Sequence, residues 1–467
     1  MGFIRNSVAL AIAVVAGLAT GLPPDAKAAS VQVTEDHSGS GCASVAPVSD
    51  SSGTIAAWQS SCNPAGGNGD GSNEIFRATV GAAPVQLTAG TGCSSGRPSI
   101  SADGARIAFE SDCDLLGTNA DGNVEIFLWK NGVLVQLTTS TFCDNLAPSI
   151  SGSGGFVAFD STCNLFGIND GHGSEIFRVT VATLALKQLT SDASGACDST
   201  SASIDNSGNL VAFDSDCDLT GHNEDLATEI FTVSAASEVV QRTFAGDDSC
   251  SSVRPSMDAA GSLIAFLSNC DPVGTNSDLS DEVFTVDDAL EVRQISNADA
   301  GSACASGEPH MASSGHAVAY SSYCALADGR NADGSIEVFQ AGVGNPHGGI
   351  LAVTDDSGCS SSGGGISADG SRVMLDSDCD LAGSNADAGV EVFRAGACAC
   401  GAPATRNLPP KKPLASDALF VLKSAVGSAV CAKCECDTNN DSQINASDAL
   451  RTLKAAVGTV TLTCPAA

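Results

Sequence analysis

One segment governs what this chain can fold into. Residues 93–138 read CSSGRPSISADGARIAFESDCDLLGTNADGNVEIFLWKNGVLVQLT, and six further versions begin at Cys42, Cys143, Cys197, Cys250, Cys304 and Cys359, a period of 50 to 55 residues. A fixed period of this size marks a repeat architecture, and its length suits four short strands per unit.

Each copy holds two cysteines 20 residues apart: Cys42/Cys62, Cys93/Cys113, Cys143/Cys163, Cys197/Cys217, Cys250/Cys270, Cys304/Cys324 and Cys359/Cys379. Seven identical spacings predict one disulfide per repeat. A glycine stands eleven residues after each first cysteine: Gly53, Gly104, Gly154, Gly208, Gly261, Gly315 and Gly370. A three-residue hairpin loop takes Gly in the left-handed conformation at its end. Such a loop, centred on Asp103, joins a strand at 98–101 to one at 105–111 and sets Cys93 opposite Cys113, close enough to bridge. Each bridge closes a loop of about 20 residues, worth on the order of 3 kcal/mol.

The third strand is 125–129 and the fourth 135–138, with fourth-strand equivalents at 85–88, 187–190, 240–243, 293–296 and 351–354. The seventh copy lacks a fourth strand, whereas Val31 to Thr34 stands alone before the first copy. A circular array loses its open edge when that N-terminal strand completes the last unit. The expected fold is therefore all-β: a seven-bladed β-propeller over 29–396 with one disulfide per blade, closed by the N-terminal strand.

Residues 1–28 read as a signal peptide: Arg5, a short apolar run from Val8 to Leu22, and the small-residue cleavage site Ala26-Lys27-Ala28. The run is too short to span a bilayer. The expectation is a secreted, extracellular or periplasmic protein, an oxidising setting that suits 20 cysteines. Formal charge is −33, from 54 acids and 21 bases. That disfavours nucleic acid and anionic membranes as partners, which demand Lys/Arg patches.

The run P-S-I-S-x-D-G-x-x-I-A-F, followed by D-G-x-x-E-I-F, resembles TolB-like β-propeller repeats over roughly 31–396. The resemblance implies the fold and leaves the function open, because propellers host binding, scaffolding and many enzyme activities. The cysteine pair departs from the usual repeat.

Three polar columns lie between the second cysteine and the third strand. Asn68, Asn119, Asn169, Asn223, Asn276, Asn331 and Asn385 form one; Asp70, Asp121, Asp225, Asp278, Asp333 and Asp387 form another, with Asp170 one place early; Glu74, Glu125, Glu175, Glu229, Glu282, Glu337 and Glu391 form the third. Their spacing offers oxygen ligands of the kind Ca²⁺ uses. Asn, Asp and Gly also build turns by bonding their own backbone, and that is the preferred reading; weak Ca²⁺ sites on the rim stay open. No catalytic constellation is recognisable. Gly92-Cys93-Ser94-Ser95-Gly96 matches G-x-S-x-G by letter but lies between blades, without a strand–elbow–helix context. The histidines form no metal-binding spacing, and His310 and His316 flank a hairpin turn, which marks them as surface residues. Seven of the 17 Phe are the repeated third-strand residue and read as core between blades, leaving few rings to stack on a sugar.

Residues 397–411 form a linker, and composition changes over 412–467. Ala415 to Gly427 (ASDALFVLKSAVG) recurs 31 residues later as Ala446 to Gly458 (ASDALRTLKAAVG), with helical spacing of apolar residues and a capping Gly. Before the second helix stands DTNNDSQINASD. Its Asp437, Asn439, Asp441, Gln443 (through its carbonyl), Asn445 (through water) and Asp448 supply the six to eight oxygens that Ca²⁺ needs. Loop plus helix, given twice, resembles a type I dockerin. The resemblance implies a small α-helical domain that binds a cohesin-like protein, through faces that map to Ser416, Leu419, Lys423 and Ser447, Leu450, Lys454. The first loop departs from the pattern, with Arg406, Leu408 and Pro410 at ligand positions, so one calcium is expected instead of two. Cys431, Cys434, Cys436 and Cys464 have a spacing open to Zn²⁺, with disulfides the preferred reading.

The expected function is a secreted, non-enzymatic binding or scaffold protein. Its propeller meets a protein or glycan, and its dockerin-like module attaches it elsewhere. The alternative is a propeller glycoside hydrolase or polysaccharide lyase, whose chemistry demands non-repeating carboxylates at a central pocket.

Overall fold

The computed structural model describes residues 30–35, 41–167, 173–192, 197–245, 249–297, 304–326, 331, 333–343, 350–396, 413, 415–425, 438, 445–460 and 462. The signal segment, the linker, Asn169, Asp170 and the six cysteines beyond residue 397 lie outside the described residues.

Among the described residues, twenty-eight strands form seven four-stranded antiparallel sheets. In the second blade the strands are Ser95–Ile100, Arg106–Ser111, Glu125–Lys130 and Val133–Gln136, in spatial order along the chain. First strands of neighbouring blades pack on one another around the ring, and Ser44–Ser49 meets both Ser95–Ile100 and Ser361–Ile366, which closes it. The N-terminal strand, Ser30–Gln32, completes the seventh sheet by pairing with Glu391–Gly396, Val31 opposite Arg394. The fold is thus a closed seven-bladed β-propeller, and all seven expected disulfides are present with Cα–Cα separations of 5.0–5.3 Å.

The core lies between blades. The repeated third-strand Phe is fully buried in every blade. In six blades it stacks on the second-strand aromatic directly opposite, as in Phe109–Phe127 at 5.8 Å and Trp58–Phe76 at 6.1 Å. Leu375 takes that place opposite Phe393 in the seventh. Burying each such ring stabilises by roughly 1.5–3 kcal/mol.

Two sequence expectations need correction. The hairpin loop between first and second strands has four residues rather than three: Ser101 N–H bonds Arg106 C=O at 2.9 Å, leaving Ala102 to Ala105 in the loop, with Gly104 at φ 67°. This moves the turn's centre by half a residue. A β-bulge restores the register, because Arg97 and Pro98 together face Phe109 between the pairs Gly96/Glu110 and Ser99/Ala108. Turn and bulge offset each other, so Cys93 still meets Cys113. The repeated Pro is explained as well: at a bulge its missing N–H costs no ladder bond.

The fourth strands also end earlier than expected, at Gln86, Gln136, Gln188, Gln241, Gln294 and Ala352. The following Thr or Ser leaves the ladder to use its side chain. Thr88 Oγ1 accepts the Ile75 N–H at 2.8 Å, and Thr138, Thr190, Thr243, Ser296 and Thr354 repeat the contact at 2.8–2.9 Å. Thr34 does the same for Val392 in the closing blade.

Beyond the propeller, helices α1 (Ala415–Ala425) and α2 (Ala446–Ala456) pack against each other. No helix among the described residues is long and apolar enough to cross a membrane.

Candidate ligand cavity

The bulge positions surround a central cavity of about 720 Å³ at the ring's axis. In six blades the bulge residue has a positive φ that only Gly adopts without strain, yet none of the six is Gly: Ala46, Arg97, Ala147, Ser201, Arg254 and Glu308, at φ 36–58°. The bulge of the seventh blade, between Gly363 and Ile366, has no residue of positive φ. Such residues persist only where the surroundings over-determine them, and they concentrate at functional sites. The blades also differ at this position. Arg97, Arg254 and Glu308 line the cavity in three blades, and small residues or Gly363 stand in the other four. Arg254 Nη1 pairs with Glu308 Oε1 at 2.9 Å and Arg97 Nε with Glu110 Oε1 at 3.5 Å; each arginine side chain is more than half exposed. Exposed pairs of this kind contribute about 0–1 kcal/mol, so the guanidinium groups can exchange partners readily.

A broken ring of acids runs around the cavity at the residue between the second-strand aromatic (Leu375 in the seventh blade) and Ser. Glu110, Asp160, Asp214 and Asp376 occupy it in four blades, and Gln59, Leu267 and Ser321 in the others. Each acid reaches the bulge of the next blade. Glu110 Oε2 accepts the Ala147 N–H at 2.8 Å, Asp214 Oδ2 the Arg254 N–H at 2.8 Å, and Asp376 Oδ2 the Ala46 N–H at 3.1 Å. Asp160 takes the Ser201 N–H. Burial pushes all four carboxyls upward, Asp160 and Asp376 to about 7. Asp160 is 4% exposed, and its Oδ1 has no hydrogen-bond partner among the described residues.

His310 does not sit on an outer turn. It lines the cavity in the place that Ser99, Ser149, Ser203 and Ser256 hold in earlier blades, where each serine accepts an amide of the next first strand at 2.9–3.2 Å. Its Nε2 is buried with no hydrogen-bond partner among the described residues, and burial holds the imidazole below its ordinary range. His316 is at the turn, its Nδ1 2.6 Å from Ser314 O. The cavity residues escaped sequence reading because they are letters that vary inside constant motifs: the residue before Pro, and the x of F-x-S-x-C. Variation at those two places was the available signal.

The loop columns are built as turns. The described column Asn side chains are buried and bond two loop carbonyls each, as Asn68 Nδ2 does to Cys62 O at 3.0 Å and Ser72 O at 2.8 Å. Column Asp residues brace the next loop: Asp70 and Asp333 accept the N–H groups of Gly92 and Gly358, both at 3.1 Å. The Glu column is buried and takes the fourth-strand hydroxyls, as Glu175 does from Thr190 at 2.6 Å. Ser94 and Ser95 of the G-x-S-x-G letters lie between a disulfide and a buried Ser95–Ser111 pair, without a base.

In the helix pair, Asn445 and Asp448 form a capping box on α2. Asn445 Oδ1 accepts the Ser447 N–H at 2.8 Å, and the buried Asp448 accepts the N–H groups of Asn445 and Thr438, both at 2.9 Å. Asp437, Asn439, Asp441 and Gln443 lie outside the described residues. Ser416, Leu419, Lys423, Ser447, Leu450 and Lys454 are all exposed.

No protein-family model matches the chain, and no curated protein matches it. Among solved structures it is similar to an oligogalacturonate lyase from Vibrio parahaemolyticus (TM-score 0.51, 10% identity, 80% of this chain and 99% of that one). It is also similar to a prolyl endopeptidase (TM-score 0.50, 11% identity, 76% and 50%). TolB from Acinetobacter baumannii matches at TM-score 0.38 and 16% identity, over 69% of this chain and 59% of that one. The chain thus spans about half of the endopeptidase and under two thirds of that TolB. At such identities the likeness establishes a shared fold alone.

Proposed function

We propose that the chain is an exported binding protein whose propeller holds a ligand in its central cavity, while the helix pair, ordered by calcium at Asp437 to Asp448, attaches it to a cohesin-like partner. The observation that carries the propeller reading is the set of strained, blade-specific bulge residues around one cavity. A purely structural ring has no use for Arg97, Arg254 and Glu308 at left-handed positions that glycine fills without strain. Disulfides in every blade fit an extracellular or periplasmic setting. A glycan array and a peptide array with the full chain test the reading. Ligands found on either should lose at least tenfold in affinity with Arg254→Ala and Arg97→Ala. Undiminished binding to both variants would place the site elsewhere.

The enzyme reading also draws support from one feature. Glu308 and His310 line the cavity in one blade alone, where the sequence suggested acids in register only, and Glu110 joins them from a column that is acidic in four blades. The lyase neighbours make uronic-acid polymers the first substrates to try. Turnover lost in His310→Ala and in Glu308→Gln supports this reading, and no turnover with intact ligand binding removes it.

A further inference from the structure

Phe142 stands at a position that no requirement of the fold explains. It immediately precedes the first cysteine of the third blade. The described equivalents at this position with positive φ are Gly41, Gly92 and Gly358, at 86°, 69° and 78°. Phe142 adopts the same left-handed conformation, φ 60°. The turn is otherwise the same: the Phe142 N–H bonds Asp121 at 3.3 Å, as Gly92 bonds Asp70 and Gly358 bonds Asp333. An aromatic residue is strained there, because its Cβ crowds the backbone. Burial does not offset the strain, since Phe142 is 90% exposed, more than any other large hydrophobic residue described. A lone exposed apolar side chain needs no explanation. Leu184, Leu226, Leu279 and Leu290 also combine a left-handed φ with 42–57% exposure. Phe142 stands apart from them because it is the most exposed and because its described positive-φ equivalents are all glycine, which would serve the fold better.

The surroundings define what such a residue meets. Leu116 and Phe166, each about half exposed, stand on the loops between second and third strands of blades two and three, at the same disulfide end of the ring. Asp114 and Asp121 on blade two and Asp144 beside Cys143 on blade three make the area acidic. An aromatic anchor ringed by near-neutral contacts and carboxylates is the form of a protein–protein hot spot. We infer that Phe142 is the anchor of a second interaction surface, which inserts into an apolar pocket rimmed by Lys and Arg on a partner protein. This surface rests on a different observation from the central cavity and stands or falls separately.

A photo-crosslinking amino acid at position 142 of the full chain, produced in its native cells, tests it against the same residue at Gly92. The expected result is one discrete adduct from position 142 and none from 92. Its crosslinked segment should be apolar with flanking Lys or Arg, and its yield should fall as salt is raised. Phe142→Gly should unfold at the same temperature as the wild type or higher, while losing at least tenfold in affinity for the partner so identified. Equal adducts at both positions, no adduct, a lipid adduct, a second copy of this chain, or an acidic segment would each overturn the inference. So would a lower unfolding temperature for Phe142→Gly, since that would make Phe142 a folding residue.

Discussion

Thr34 donates its hydroxyl to the carboxylate of Glu391, 357 residues further along the chain, and accepts the Val392 N–H at 2.8 Å. Six other blades make the same acceptor contact with a Thr or Ser 12 to 16 residues away, and Thr34 makes it across the whole ring. Thr34→Val should leave the Val392 N–H without its acceptor and remove a donor from a buried carboxylate, at about 1–3 kcal/mol. Thr34→Ser should restore most of that. Urea midpoints of the two variants check it; a Val variant as stable as the wild type would mean the clasp is dispensable.

The disulfides should contribute alike, since each closes a loop of the same sequence separation, 20 residues. Removing the pair as Cys93→Ala with Cys113→Ala should lower stability by about 3 kcal/mol in the chain-entropy view. Denaturation of the oxidised double variant gives the number directly. A loss under about 1 kcal/mol would show that the bulge and turn hold the hairpin without help.

Asp160 makes stability depend on pH in an unusual direction. Its folded carboxyl is raised from 3.8 to about 7, chiefly by burial, so folding favours the protonated form. The benefit is fully present below about pH 3.8 and is lost as pH rises through 7. Asp160→Asn should match the wild type near pH 4 and exceed it at pH 8, by at most roughly 4 kcal/mol. Unfolding curves at both pH values check this. A variant less stable at pH 8 would mean that the carboxylate is paired with something the ring does not show.

Calcium should bind the full chain at one site in the helix pair. Calorimetric titration is expected to show a single saturable event, lost in Asp437→Ala and unchanged in Asp333→Asn on the propeller rim. Binding that survives Asp437→Ala would move the ion to the rim loops, and no binding at all would leave Asn445 and Asp448 as a helix cap alone.

Much of the propeller was legible because its rules are local and repeated seven times. Gly104 fixes a turn, Cys93 and Cys113 fix a pairing, and Phe127 fixes a buried face. The fourth strand was placed late because Thr138 looks like a strand residue by type, and only its partners show its hydroxyl replacing the ladder. The bulge at Arg97 was hidden for a similar reason. A one-residue shift in the strand and a half-residue shift in the turn offset each other at the only marker available, the cysteine pair.

What the sequence by itself determined is the repeat: seven blades, seven bridges, and an orphan N-terminal strand to close the ring. Those follow from periodicity and from the need of an edge to be paired. What only the tertiary structure decided is where the blade-specific letters converge. Arg97 and Glu110 belong to the second copy, Asp160 to the third, Arg254 to the fifth, and Glu308 and His310 to the sixth, so no single copy carries the set. Closure of the ring brings one bulge from every blade to a common axis, so residues that look like noise along the sequence become neighbours around one cavity.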